Sequence, residues 1–377
     1  MIGRFFEKEI DYKALKEDGI LITTRGTDLL LTGGNKMGVL YSVYTFFEEY
    51  LQCRTYTKDL EIVPPKKTIQ LAARIYNKQV PAFDYRTTYF LDAFDSTYND
   101  RNRMNYIFEG RGLFAHTFAK LLPQEQYFKS HPDYFAFYNG KRTVSQPCLS
   151  NENVFRIIKN NLNAEIAKKP YLDIWSVSHN DNGVHCLCNI CAPLEKQGNG
   201  EYMETLLPFV NRIAAEYPNK TISTLAFNQS LWPSKKVLPR ANVEIMFCIS
   251  TINRAIPLTK PLDPQATKFK DALTGWSKQT KNIMVWDYLV NYTHALTPFP
   301  NLNVIQENLR YYRSRGVTKL FLQGIGAQVA PFSELKTYIV AKLMWNPEHN
   351  MRSIVSDFCN AFYGPGATEM QRYLFAL

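Results

Sequence analysis

The sequence lacks the signatures of several large protein classes. No stretch approaches the roughly 20 apolar residues of a membrane-spanning helix, and the first residues, MIGRFFEKEIDYK, lack the apolar core of a signal peptide. There is no phosphate-binding glycine loop, dinucleotide fingerprint, serine-hydrolase elbow or HExxH motif. These absences argue against kinases, dehydrogenases, esterases and a catalytic zinc ion, and we predict no membrane span in this chain.

A concentrated basic patch is also missing, although the chain is basic overall. The formal net charge is +10, from 44 Lys and Arg against 34 Asp and Glu. The basic residues occur as isolated pairs, such as Lys66-Lys67 and Lys235-Lys236, without a recognition-helix, RRM-like or zinc-finger pattern. We interpret the charge as a solvated surface and predict no nucleic-acid partner.

What is present indicates a sizeable folded protein. The 377 residues are 45% hydrophobic and 21% charged, which is enough for one large core and a small satellite domain. The aromatic residues, 24 Phe, 23 Tyr and 5 Trp, suit an ordinary core as well as a carbohydrate-binding surface. Composition alone leaves both interpretations open.

Residues 1–79 are predicted to form a small α/β domain that is truncated at its start. Strand-like runs occupy residues 19–22 and 29–32, and a Gly33-Gly34-Asn35 turn separates the second run from a helix predicted over residues 37–51. A third strand is expected at residues 68–71. Pro81 then leads into the next unit.

Residues 80–377 alternate between short strands and longer helices, which is typical of a parallel sheet covered by helices. Helices are predicted over residues 153–168 and 202–217, and another begins at residue 334. The eight candidate strands are residues 86–90, 105–108, 113–116, 172–178, 222–227, 243–248, 283–287 and 319–323. Eight strands predict a (β/α)8 TIM barrel, giving an α/β fold class for the whole chain.

Short motifs in this second region resemble one known family. They are HPDYFA at residues 131–136, GKR at 140–142, CLSN at 148–151, SHNDNG at 178–183, CLCNIC at 186–191 and WDY at 286–288. In this order they resemble the domain of unknown function 4838 family over about residues 80–375. Residues 28–44 resemble the small N-terminal domain of β-hexosaminidases and α-glucuronidases. The resemblance implies a glycoside-hydrolase-like barrel with a carbohydrate substrate.

Asp181 is the predicted general acid. It follows the fourth candidate strand, and barrel enzymes carry their chemistry at the carboxyl ends of the strands. By the resemblance, this is the position of the general acid in related hexosaminidases, where a shielded carboxyl protonates the departing oxygen. The adjacent Asn180 would orient the acetamide of an N-acetyl sugar. The alternative for Asp181 is an Asx-turn or a helix N-cap, because Asn-Asp-Asn-Gly is also a favourable turn sequence.

Asp287 ends another strand and is the candidate for a second carboxylate, acting as nucleophile or base. The alternative is a structural aspartate held by backbone amides. Arg86 could bind the carboxylate of a uronic acid. The other predicted substrate-binding residues are His116, His179, Trp286, Tyr288, Gln323 and Asp92.

The cysteines raise a separate question. Cys186, Cys188 and Cys191 lie within six residues of one another, and Cys148 could join them in space. Zinc prefers four such ligands, but two CxxC-like pairs are the usual pattern. A structural zinc site and free or disulfide-linked thiols both remain open. The total of seven cysteines leaves at least one unpaired within the chain.

Together these features predict a glycoside hydrolase that acts on a complex glycan, either an N-acetylhexosaminide or a uronic-acid-containing saccharide. A non-catalytic carbohydrate-binding barrel is the alternative. No cofactor is expected for catalysis. The reaction class leads us to expect a secreted or periplasmic protein.

Overall fold

The computed structural model describes residues 10–198, 201–260, 262–328 and 330–376. Residues 1–9 of the predicted small domain and residue 377 of the predicted barrel lie outside the described residues. Among the described residues, no helix is both long enough and apolar enough to cross a membrane.

The N-terminal region contains a three-stranded antiparallel sheet with one helix on it. Its elements are β1 (Ile20–Arg25), β2 (Asp28–Gly33), α1 (Lys36–Glu49), the short hairpin β3 (Arg54–Thr55) and β4 (Glu61–Ile62), and β5 (Tyr76–Gln79). Strand β1 pairs with β2 on one side and β5 on the other. The predicted strand at residues 68–71 is wrong, because that segment has no strand and the third strand begins at Tyr76.

The close packing of α1 on the end of β2 explains the glycine at residue 33. The Asn35 side chain caps α1 by accepting a hydrogen bond from the Gly38 amide at 2.8 Å. A Cβ atom built on Gly33 would lie 2.1 Å from the Gly38 carbonyl carbon. The helix therefore rests directly on the strand backbone, and a side chain at position 33 would push it away.

The larger region alternates strands and helices as predicted. In chain order its elements are β6 (Tyr85–Phe90), α2 (Ser96–Arg101), β7 (Arg111–Leu113), α3 (Phe118–Leu121), α4 (Gln124–Tyr127), β8 (Phe135–Tyr138), β9 (Lys141–Pro147), α5 (Glu152–Lys168), β10 (Ile174–Ser176), α6 (Cys191–Lys196), α7 (Met203–Glu216), β11 (Thr221–Ala226), β12 (Val243–Cys248), α8 (Pro264–Gln279), β13 (Ile283–Tyr288), α9 (Leu302–Ser314), β14 (Lys319–Gly326), α10 (Ser333–Trp345), α11 (Met351–Tyr363) and α12 (Ala367–Ala376). Strands β8 and β9 form a separate antiparallel hairpin.

Within the described residues the main sheet has seven parallel strands, in the order β6-β14-β13-β12-β11-β10-β7. Seven of the eight predicted strands have a counterpart in this sheet, although the strand predicted at residues 113–116 overlaps β7 only at Leu113; the prediction at residues 105–108 is wrong. That segment contacts β6 without forming a ladder: the Asn105 side chain accepts from the Arg86 amide at 2.8 Å, and the Asn105 amide donates to the Arg86 carbonyl at 3.0 Å. Phe108 turns the chain with φ = 60°.

The sheet is curled, and its two faces differ. The concave face carries an aromatic and methionine cluster that includes Tyr85, Met246 and Phe321, while the convex face packs on the helices. Arg111, on the edge strand β7, lies over the ring of Tyr85 on the opposite edge strand at 5.2 Å. Contact between the two edges shows a half-barrel sheet rather than a flat one.

Buried ion pairs connect the small sheet to the large one. The Arg86 guanidinium contacts the Asp18 carboxylate at 2.7 Å, and Glu48 of α1 pairs with Arg103 at 2.6 Å. Glu48 also accepts a hydrogen bond from Lys342 of α10. Breaking one partner of such a pair would leave a buried charge uncompensated, so these contacts fix the two regions together.

Candidate active site

The loop that follows β10 is pinned on both sides of Asp181. The buried Gln146 side chain donates to the Asn180 carbonyl and to Asn182 Oδ1, both at 3.0 Å, and accepts from the Asn180 amide at 3.1 Å. The Asn180 and Asn182 side chains donate to the Ser145 carbonyl at 2.9 and 3.2 Å. The end of β9 therefore holds the loop backbone while leaving Asp181 out of the network.

Asp181 itself is exposed at the carboxyl end of the sheet. Its carboxylate has no hydrogen-bond or ion-pair partner within the described residues. Burial raises the pKa of the Cys248 thiol to about 12, and the carboxylates of Asp287 and Asp181 reinforce that rise in pKa. The Asp181 carboxylate is therefore close enough to the end of β12 to influence the Cys248 thiol, as expected for a residue at the carboxyl end of a curled sheet.

The two predicted histidines occupy different environments. His179 is buried; its Nδ1 lies 3.1 Å from the Asn180 carbonyl and its Nε2 lies 2.8 Å from Ser230 Oγ. Burial lowers the pKa of His179 to about 4, so the ring is neutral at pH 7. Both nitrogens are engaged, which makes His179 a loop-positioning residue and corrects the expectation of direct sugar contact.

His116 is partly exposed at the end of β7, and its Nδ1 bonds to the His179 carbonyl at 2.9 Å. Its backbone is left-handed, with φ = 53°, as is that of the exposed Asn228 at the end of β11. Non-glycine residues held in this region concentrate at functional sites. Substrate binding by His116 stays a prediction.

Aromatic side chains line the carboxyl end of the concave face, which we call the mouth of the sheet. Trp286 and Tyr288 on β13 are partly exposed and stack with centroids 6.1 Å apart, and Phe114 after β7 lies 5.4 Å from Trp286. The buried Trp286 Nε1 has no partner among the described residues. A ring of half-exposed aromatic faces is suited to stacking against sugars. Sugar binding by Trp286 and Tyr288 remains a prediction.

Asp287 does not share this mouth. Side chains alternate along a strand, and Asp287 lies on the convex face of β13 between the sheet and α9. It is 6% exposed; its Oδ2 accepts from the Tyr312 hydroxyl at 2.6 Å and its Oδ1 accepts from the Tyr288 amide at 2.8 Å. Arg254 approaches Oδ1 at 3.3 Å. This placement favours the structural alternative over a second catalytic carboxylate.

Arg86 and Asp92 also lie away from the mouth. The Arg86 side chain is fully buried near the start of β6, where it donates to the Phe83 and Arg103 carbonyls and pairs with Asp18. It has no access to a uronic acid, so that prediction is corrected. Asp92 accepts from the Lys58 amide at 3.2 Å in a separate cavity of about 310 Å³ beside α10. Burial raises the pKa of Asp92 to about 6.

Gln323 lies at the mouth, within β14 and three residues before that strand ends at Gly326. Its amide donates to the Tyr292 hydroxyl at 2.6 Å, and that hydroxyl donates to the Gly324 carbonyl at 2.6 Å. The amide is partly exposed, and a binding role for it stays a prediction.

The three predicted metal ligands meet at the same end of the sheet: Cys186, Cys188 and Cys191 come together with Cys148 beyond the Asp181 loop.

Comparison with known protein families assigns the chain to one of them. A family model described as a domain of unknown function (DUF4838) matches residues 55–375. The chain belongs to this family. The predicted membership is confirmed, and the match begins inside the small domain rather than near residue 80. The hexosaminidase-like character of the small domain stays a prediction. No match was found among curated protein sequences.

Two solved structures that resemble this member of the DUF4838 family are glycoside hydrolases. One is a family 89 glycoside hydrolase from Clostridium perfringens in complex with its substrate GlcNAc-alpha-1,4-galactose, with 11% identity, a TM-score of 0.51, and coverage of 94% of this chain and 47% of that chain. Another is a family 89 enzyme from the same organism with 2-acetamido-1,2-dideoxynojirmycin, at 11% identity, a TM-score of 0.52, and coverage of 94% and 48%. The likeness concerns the fold, and the chain spans about half the length of these enzymes.

Several site residues were not predicted from the sequence. Phe114 and Phe227 follow strands β7 and β11, so their position at strand ends was a usable signal. His179 stacks on Phe227 with an interplanar angle of 2°. Gln146 and Ser145 carry no such signal, because they reach the Asp181 loop from a hairpin about 35 residues earlier in the sequence.

Proposed function

We propose that this member of the DUF4838 family is a glycoside hydrolase in which Asp181 is the general acid. The observation that carries the proposal is the Asp181 carboxylate, unpaired among the described residues and held by a pinned loop at the carboxyl end of a curled parallel sheet. The same end of the sheet carries half-exposed aromatic rings. We also infer that the sheet is a (β/α)8 barrel in which the segment around Asn105 takes the place of the second strand.

In the proposed reaction, a sugar stacks against the aromatic side chains of the mouth, with its glycosidic oxygen directed at Asp181. Asp181 then gives its proton to the glycosidic oxygen as the bond to the anomeric carbon breaks. The positive charge that develops on the sugar requires a nucleophile. Asp287 faces α9 rather than the mouth, which supports a nucleophile carried by the substrate itself.

An N-acetylhexosaminide supplies that group, and it is the substrate class that we propose. Its acetamide oxygen would bond to the anomeric carbon, and water would open the cyclic intermediate while the Asp181 carboxylate takes the water's proton. The proposed role of Asn180 is to orient the acetamide. Its Oδ1 accepts one hydrogen bond from the Ala119 amide, and its Nδ2 donates one to the Ser145 carbonyl. Each atom keeps one further hydrogen-bonding position. A uronic acid is disfavoured because Arg86 is buried.

The placement of Asp287 also favours a second candidate function, a carbohydrate-binding barrel without hydrolysis, because no second carboxylate joins Asp181 from β13. Both candidates bind sugar through the same aromatic mouth. They differ in one measurable property, which is the release of sugar from the substrate. On the basis of the reaction class, we also propose that the protein is secreted or periplasmic.

The decisive experiment is a screen of aryl glycosides and purified glycans for released sugar. We expect turnover of an N-acetylhexosaminide, and Asp181→Asn should lower it by about 10²- to 10⁴-fold because general acid catalysis contributes on that order. Binding should persist, since the amide keeps the shape of the site. Binding without release in the wild-type protein would instead establish the binding barrel, and unchanged turnover in Asp181→Asn would remove the proposed acid.

Asn180→Ala tests the role of the acetamide. It should slow an N-acetylated substrate much more than the matching sugar with a free hydroxyl. Asn182→Ala is the matched control, because it also removes a hydrogen bond to the Ser145 carbonyl but leaves Asn180 in place. Equal losses on both substrates would contradict assistance by the substrate.

A further inference from the structure

Four buried cysteines meet beside the loop that carries Asp181. Their sulfur atoms all lie within 4.8 Å of one another, and none of the four forms a disulfide bond. We call Cys148, Cys186, Cys188 and Cys191 the cysteine cluster. Cys148 follows the end of β9, and the other three lie between the Asp181 loop and the start of α6.

The spacing of the sulfurs suits a tetrahedral metal ion. Zinc bound by four thiolates at about 2.3 Å requires neighbouring sulfurs to be about 3.8 Å apart. The Sγ atoms of Cys148 and Cys188 are 3.8 Å apart. A disulfide bond needs about 2.05 Å, so the observed separation fits a shared ion and not a bond between these two residues.

The surroundings of the sulfurs also suit thiolates. The Phe137 amide donates to Cys186 Sγ at 3.3 Å, and the Cys191 amide donates to Cys188 Sγ at 3.4 Å. Such amide donors are the outer partners that orient and stabilise metal ligands. The nearby imidazole of His185 instead contacts Glu195 at 3.1 Å. The donor set is therefore four sulfurs.

We propose that the cysteine cluster binds one zinc ion and that this ion fastens the Asp181 loop to the end of β9. Four protein ligands leave no position for a water molecule, which is the property of structural rather than catalytic zinc. The proposed ion joins Cys148 to the segment after Asp181. Two residues before Cys148, Gln146 bonds to Asn180 and Asn182.

The ion and the hydrogen bonds would therefore act on the same two segments. The Gln146 contacts fix the loop at Asn180 and Asn182, on both sides of Asp181, and the cysteine cluster fixes it again from five residues beyond Asp181. Zinc binding stands independently of any enzymatic activity. The positioning of a catalytic residue rests on the proposed function.

The first test measures metal in the full chain, purified without chelator under reducing conditions. We expect about one zinc ion per chain, and replacement by Co²⁺ should give the thiolate-to-cobalt absorption and the intense visible bands of a tetrahedral sulfur site. Iron in place of zinc, a zinc content below about a tenth of an ion per chain, or disulfides found by mass spectrometry would each overturn the proposal.

Single cysteine variants test which residues bind the zinc ion. Cys148→Ser and Cys188→Ser should each lower the zinc content by at least about tenfold, because a ligand is lost from a four-ligand site. Cys359→Ser is the matched control, since Cys359 is a fully buried cysteine outside the cluster and its loss should leave the zinc content unchanged. If a cluster variant does not fold, the cobalt spectrum of the wild-type protein decides the question.

The second test measures backbone hydrogen exchange in the Asp181 loop in the absence of substrate. Removal of zinc should raise hydrogen exchange in residues 179–191 and 145–148 by about tenfold or more, while exchange in β12 and β13 stays unchanged. Bound zinc with no change in loop exchange would overturn the fastening role. Because neither readout uses a glycoside, the absence of hydrolase activity would not be mistaken for the absence of the metal.

Discussion

The two ends of the parallel sheet hold their charges in opposite ways. At the N-terminal end, the buried Glu244 carboxylate binds Arg111 through two hydrogen bonds at 2.8 and 3.1 Å and Lys319 at 2.8 Å. At the carboxyl end, Asp181 is exposed and unpartnered among the described residues. A carboxylate with every oxygen occupied serves the fold, whereas one left free remains available to a ligand. The comparison can be tested by changing each carboxylate to its amide.

Glu244→Gln should have the largest effect on stability. The change leaves the Arg111 charge buried without its counter-ion, which costs about 3–5 kcal/mol of unfolding free energy. Chemical denaturation measures this loss. Glu152→Gln is the matched control, because Glu152 binds Arg212 with the same two-bond geometry but on the surface, and it should change stability little. Equal losses in both variants would refute the distinction between the two ends.

The same pair predicts a pH dependence. Burial alone would raise the pKa of Glu244, but the Arg111 and Lys319 cations hold it at about 2, below its ordinary value of 4.5. The stabilisation is therefore complete above pH 4.5 and is lost as the pH falls from 4.5 to 2, by about 3 kcal/mol in all. The stability curves of the wild type and Glu244→Gln should converge over that window. Parallel curves would contradict the assignment.

Asp287→Asn tests the structural role of Asp287, which the sequence analysis had made a candidate for a second catalytic carboxylate. It weakens the bonds from Tyr312 and Arg254 and should lower the unfolding free energy by about 1.5–3 kcal/mol. Tyr312→Phe removes one of the same hydrogen bonds and should destabilise the protein less. Turnover per folded molecule should be nearly unchanged. A specific loss of turnover with full stability would restore Asp287 as a catalytic candidate.

Asp181→Asn should have the smallest effect on stability, within about 0.5 kcal/mol, because exposed residues without partners contribute little. The measurement is again chemical denaturation, made on the protein used for the activity assay. This outcome would show that any loss of turnover reflects chemistry. A large destabilisation would mean that Asp181 has a structural role in the loop, as the turn alternative proposes.

The regular parts of the fold were predictable because they carry strong local patterns. Strands β12 and β13 are mostly apolar, with Glu244 and Asp287 as the charged exceptions, and mostly apolar runs are typical of strands covered on both faces. The segment at residues 105–108 has similar composition but failed as a strand. Its contact with the backbone of β6 is the exchange of two hydrogen bonds between Asn105 and Arg86, one of them through the Asn105 side chain, and Phe108 turns away with a left-handed φ. Composition does not encode either feature.

The candidate site was predicted less completely, and one failure was avoidable. Adjacent residues of a strand point to opposite faces, so Trp286 and Asp287 could not both enter the mouth. The same rule separates Arg86 from Tyr85. By contrast, the partnership of Gln146 with Asn180 arises only when the β8–β9 hairpin folds over the loop, and sequence spacing gives no sign of it.

The pairing of β5 with β1 determines where the chain can be divided. The family match begins at residue 55, after β1, β2 and α1 but before β5. A fragment cut at that boundary would retain β5 without its partner strand, Arg86 without Asp18, and Trp345 without the core of Ile20, Ile22 and Tyr41 on which it packs. The unit that recurs among relatives is thus smaller than the unit that buries its own core, and expression trials should keep residues 10–79 attached.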